Sequence, residues 1–293
     1  MGKCFAAPLS VVITISLVVV APVVARAAPI FGQSPRTQFF LGTAVRSFGS
    51  FQKFSGGGKE LEVWSAPVIG SYAVAPDVTL NLVVPYLSKR FKTPTETLEA
   101  SGVGDTTVFA KYRIYRRDVP FGRDQLSLIG GLDLPSGSDT EGPGLVNAPP
   151  LQLGSGSVDG LLGVAVGTTR RSYSIEAALR SKLNSEANDF RFGNALLYDL
   201  YLAYQTYPGW PMPPAQLNFS LELNGQTAAN NEVNGVEVGP SGGTVLFLSP
   251  GIQYILTGNL LFEAGVQIPV VRNFDPSQLE PDYTVLFGFR YLF

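Results

Sequence analysis

Hydrophobic and polar residues alternate one by one along most of this chain, and the alternation is plainest at its end. From Asp282 to Phe293 the odd positions are Tyr283, Val285, Phe287, Phe289, Tyr291 and Phe293, while the even ones include Thr284, Gly288 and Arg290. Successive side chains of a β-strand point to opposite faces. This stretch therefore has one unbroken apolar and aromatic face, and one face interrupted by glycine and arginine. At the edge of an open sheet in water such a face would promote aggregation. In a bilayer it is satisfied, provided the sheet closes and every backbone group is paired.

The same period recurs upstream. Segments at 37–50, 60–74, 78–89, 102–116, 125–135, 157–169, 173–184, 194–206, 215–226, 242–256, 260–270 and 282–293 read as strands, though the faces of 60–74 are ambiguous. The connections at 51–59, 90–101, 136–156, 185–193, 227–241 and 271–281 are long, and those between them are short. Long loops on one side and tight turns on the other, with an apolar face on nearly every strand, predict an all-β protein: an up-and-down, antiparallel transmembrane β-barrel of about 12 strands over residues 37–293. Counts of about ten or about 14 also fit these boundaries. An even count puts both termini on the short-turn, periplasmic side.

Composition agrees. The chain has 32 Gly and 22 Pro, and only 15% of its residues are charged. Mean hydropathy is +0.17, yet no run reaches the roughly 18 apolar residues of a membrane-spanning helix. A barrel gives that combination, because only alternate residues meet lipid. Lys3, the apolar run from Val11 to Val24 and the small-residue site Ala25-Arg26-Ala27 predict a signal peptide over 1–27. Residues 28–36 would then be a short N-terminal periplasmic segment, too small for the plug domain of an energy-coupled receptor. The one cysteine, Cys4, lies within the expected signal peptide, and the chain has no histidine. Ser-His, Cys-His and histidine–metal designs are thereby excluded. Asp105, Asp133 and Asp159 leave only a weak carboxylate-pair signal, and Gly154 to Gly160 lacks the lysine and following helix of a phosphate-binding loop. No enzyme activity, cofactor, metal or nucleic-acid partner is expected.

The isolated charges on the strands read as a lumen lining. The candidates are Arg46, Asp105, Lys111, Arg113, Asp133, Asp159, Glu176, Arg180, Asp199, Glu222, Glu263 and Arg290, with Lys182 beside them. Charges of both signs tend to pair and narrow a pore. Tyr86, Tyr207, Trp210, Tyr291 and Phe293 fall near strand ends and suit interfacial aromatic girdles.

Gly102-Val103-Gly104-Asp105, then Lys111-Tyr112-Arg113, then the Leu134–Gly137 turn (Leu-Pro-Ser-Gly), resemble the outer-membrane proteins named for the meta pathway of phenol degradation. The closing strand resembles those of bacterial outer-membrane barrels, which end in an aromatic residue. The resemblance covers the layout of nearly the whole mature chain, but only these short motifs are specific. It implies a passive outer-membrane channel for small, aromatic or hydrophobic molecules. Its partners would be outer-membrane lipids, small solutes and, through the strand ending in Phe293, the barrel-assembly machinery. Asp105, Lys111 and Arg113 would serve substrate, or pair with one another inside the barrel. The alternative is a plugged structural or surface-interaction barrel that acts through the loops 136–156 and 227–241.

Overall fold

A computed structural model describes residues 27–144, 148–206 and 216–293. The expected signal peptide lies outside them except for Ala27, as do the girdle candidates Tyr207 and Trp210. The rest forms a closed antiparallel barrel of 12 strands. In chain order these are β1 (Thr43–Gly56), β2 (Lys59–Ala75), β3 (Val78–Lys92), β4 in two pieces (Thr97–Val103 and Thr106–Val119), β5 (Gly122–Leu134), β6 (Asp159–Thr169), β7 (Tyr173–Leu183), β8 (Ala195–Gln205), β9 (Gln216–Ala228), β10 (Gly243–Ile255), β11 (Leu260–Asn273) and β12 (Glu280–Leu292). Each strand pairs with its sequence neighbour, and β12 returns to β1 with Arg290 opposite Arg46 and Phe287 opposite Gly49. Closure removes every lateral edge, which is what allows so apolar a sheet to exist.

The alternation sorts inside from outside as read from the sequence. On β12, Phe287 is 64% exposed while its neighbour Leu286 is 3% exposed. Leu80 and Leu82 on β3, and Leu221 and Phe219 on β9, are likewise exposed, while Thr79, Asn81, Ser220 and Glu222 between them are buried. The ambiguous β2 resolves the same way: Leu61 and Val63 face inward, and Trp64, Val68 and Tyr72 face outward.

Two expected loops prove shorter. Residues 51–56 continue β1, which turns on Gly57 and Gly58, both at positive φ. Lys92 and Thr97 extend β3 and β4 through most of the expected 90–101 loop. The polar composition there marks strands that outrun the hydrocarbon, not the end of pairing. The 135–158 connection is long as expected. It folds onto the mouth through the short 3₁₀ turn Pro149–Leu151. The 186–191 and 231–238 segments join into a small separate sheet on the same side.

Candidate functional site

The inside of the barrel is not empty. Residues 28–36, expected to hang in the periplasm, lie within it, and Ile30 and Pro35 are fully buried. An irregular segment has no ladder to satisfy its backbone, so its polar groups must find other partners. The inner wall provides them from all round the ring. The carbonyls of Ala28, Pro29, Ile30, Ser34 and Pro35 accept hydrogen bonds from Gln253 on β10 (2.8 Å), Arg290 on β12 (2.5 Å), Arg46 on β1 (2.6 Å), Lys111 on β4 (3.0 Å) and Ser127 on β5 (2.5 Å). The Glu222 carboxylate on β9 accepts from the amides of Ile30 (2.6 Å), Phe31 (3.2 Å) and Gly32 (2.8 Å), and Asp199 on β8 from that of Gln33 (3.3 Å). Arg36 pairs with Glu176 on β7 and donates to the Ala27 carbonyl, which doubles the segment back on itself. A segment tied to β1, β4, β5, β7, β8, β9, β10 and β12 lies across the lumen.

The lumen candidates have these partners. Glu263 bridges Arg46 at 2.6 Å and Arg290 at 2.7 Å across the β1–β12 seam. Arg180 pairs with Asp199 at 2.9 Å. Lys182 meets Asp133 at 2.8 Å and Asp159 at 3.6 Å, two carboxylates that stand opposite each other on β5 and β6. These charges of both signs are thus paired within the wall, while buried Lys111 and Glu222 take backbone partners on the segment.

Asp105, Lys111 and Arg113 do not pair with one another. Lys111 holds the lumen segment, while Arg113 holds Asp77 in the β2–β3 turn at 2.6 Å. Asp105, in the break between the two pieces of β4, accepts from Gly137 N (3.0 Å), Ser155 N (2.7 Å) and Ser155 Oγ (2.9 Å). It therefore fastens both ends of the long loop. A Cβ on Gly154 would come within 2.5 Å of the Asp105 carboxylate, so only glycine allows this approach. Asp105→Ala should free the loop, leaving its amides without acceptors at about 1–3 kcal/mol. Limited proteolysis of the folded barrel should then cut within 135–158 much faster than in the unaltered protein.

Beside these polar groups the interior has an apolar side. At the mouth, Leu61, Val63, Phe91 and Ala100 pack against Ala148, Leu151 and Leu153 of the loop. Lower down, Phe109, Ile129, Ala165 and Ala178 form a second cluster with Val83 and Leu161. Val83, Pro85 and Leu87 follow one another on the inward face of β3 and connect the two. The charged partners of the segment lie mainly on β7–β12 and β1.

Sequence reasoning missed the segment and its neutral anchors Gln253 and Ser127. Both are polar residues at inward positions, so their facing was legible although their partner was not.

A family model described as "Putative MetA-pathway of phenol degradation" matches residues 30–273. The chain belongs to this family. Its fold is that of the COG4313 outer membrane channel from Pseudomonas putida F1, with a TM-score of 0.71 at 13% identity over 92% of this chain and 100% of that one. The β domain of the Bordetella autotransporter BrkA gives 0.47 at 13% identity, covering 86% and 99% of the two chains. The CymD monoaromatic hydrocarbon channel gives 0.42 at 8%, covering 88% and 89%. Neither of these two lower scores carries an inference about this member of the family. No curated protein matches the chain.

Proposed function

We propose that this family member is a passive channel of the bacterial outer membrane for small apolar molecules, aromatic ones among them, without catalysis or energy coupling. The observation that carries the reading is the two-sided interior. A polar segment fills the axis, while a strip of apolar side chains on the inner face of β3–β6 leads from the loop cluster at the mouth to Phe109 and Ile129, with Lys89 among them donating to the loop carbonyls of Pro150 and Gln152. A hydrated solute would have to displace the segment and its charge-assisted hydrogen bonds. An apolar solute that follows the strip would leave the segment in place and displace the loop at the mouth instead. In this reading Arg46, Lys111, Glu222 and Arg290 hold the segment, and Asp105 holds the loop over the entrance.

Ile129→Asn places an amide in the strip without adding bulk. Uptake of a small aromatic solute should fall about fivefold, since a polar group in an apolar path raises the transfer barrier. Ion conductance should stay near its original value. Equal uptake by both proteins would remove the strip from the route. The rival reading is a barrel that acts through its external loops, and the filled lumen and the small sheet of 186–191 and 231–238 favour it. It predicts no solute uptake above that of an unrelated filled barrel.

A further inference from the structure

We infer that the outer surface of β2, β3 and β4 carries a binding site for the phosphorylated sugar headgroup of an outer-leaflet glycolipid, of the lipid A class. The outward face changes character along these strands. Tyr283, Phe51 and Trp64 form an aromatic row, with ring centroids 6.0 Å and 4.8 Å apart. One register step beyond it come Lys53, Glu62, Arg90 and Glu99, directly opposite one another on β1 to β4, and then Glu60 and Lys92. Six charges on the outside of a barrel cannot face hydrocarbon. The aromatic row therefore marks the interface, and the charged rows stand at headgroup level.

Between the rows lies a groove of about 230 Å³ lined by Trp64, Ser88, Ser101, Glu62, Arg90 and Glu99. Arg90 pairs with Glu99 at 2.6 Å and reaches Glu62 at 4.0 Å, and Lys92 meets Glu62 at 3.2 Å. Lys92 also meets Glu60 at 3.7 Å; Arg90, Lys92 and Glu99 are exposed and Glu62 is half-buried, and pairs so open to solvent are weak and exchange partners readily. A phosphate matches the guanidinium fork of Arg90 with Lys92 beside it. The carboxylates and the serine hydroxyls then accept from sugar hydroxyls. Trp64, 60% exposed, covers the junction with the acyl chains. A phospholipid headgroup fills only the phosphate part of this set. The assignment rests on the proposed outer-membrane channel with both termini on the periplasmic side, in which this end faces outward.

The test is native mass spectrometry of the purified barrel in detergent, titrated with bis-phosphorylated lipid A, with the same lipid after dephosphorylation, and with phosphatidylglycerol. The bis-phosphorylated lipid should bind about tenfold more tightly than either of the others, a difference of about 1.4 kcal/mol. Arg90→Gln with Lys92→Gln should abolish that preference, and Ser88→Trp, which fills the groove and leaves every charge in place, should abolish it too. Each variant is first checked for the heat-dependent gel mobility of a folded barrel. A preference that survives both variants overturns the site. Phosphatidylglycerol bound as tightly as lipid A overturns the sugar assignment and places this end against phospholipid, leaving the transport reading to its own test.

Discussion

Deletion of residues 28–36 should raise the single-channel conductance of the barrel in a planar bilayer by an order of magnitude or more, on the order of tenfold, because a 12-strand lumen lies between the filled and the aqueous types. The segment is bonded to residues on both sides of the ring, from Arg46 and Arg290 to Lys111 and Glu222. Its removal replaces those bonds by water. The wall keeps its own pairs, Arg46–Glu263–Arg290, Arg180–Asp199 and Lys182–Asp133, so closure does not depend on it. The opened pore should also lose preference for apolar solutes, since hydrated ones would then pass. A deletion that folds and conducts as before would place the restriction in the loop 135–158 instead.

Glu263→Ala should be the most damaging single change in the wall. Glu263 is 1% exposed and sits between two guanidiniums that face each other across the seam of β1 and β12. Removing it leaves Arg46 and Arg290, each 18% exposed, alike in charge and without their counter-ion, at about 3 kcal/mol. The unfolding midpoint in urea should fall accordingly, and the gel-mobility transition should move to lower temperature. Glu263→Gln keeps an acceptor and should lie between the two. By contrast, Glu99→Gln on the outer surface removes only an exposed pair and should change stability by less than about 1 kcal/mol.

The barrel was legible in the sequence because lipid and lumen impose opposite demands on neighbouring residues. Phe287 and Leu286, or Phe219 and Glu222, show it within a few positions. The inward charges were legible for the same reason. Their partners were not, since pairing depends on which strands adjoin and on what lies between them. Asp105, Lys111 and Arg113 are close in sequence on one strand and serve three different places: the loop, the lumen segment and the β2–β3 turn. The lumen segment was illegible for another reason. Pro29, Gly32 and Pro35 break any period, and it is held mostly through its carbonyls and amides, which every sequence has. The extended ends of β1 to β4 were illegible because their polar residues have the composition of a loop. Their alternation, Lys53 and Ser55 outward with Phe54 between them, continues to the turn.

The segment, the loop and the wall meet through hydrogen bonds that small polar solutes and ions would have to disrupt. A solute that enters along the apolar strip leaves the segment in place and has only the loop over the mouth, held by Asp105 and Lys89, to displace. The direct measurement is uptake into vesicles whose outer leaflet is lipopolysaccharide, which resists free passage of apolar compounds. The vesicles carry either this protein or an unrelated filled eight-strand barrel. A small neutral aromatic and a sugar of similar mass are supplied together. The aromatic should enter faster with this protein, with the sugar unchanged. Equal entry of the aromatic in both preparations, or entry of the sugar in preference to it, would show that this barrel is no channel for small apolar molecules.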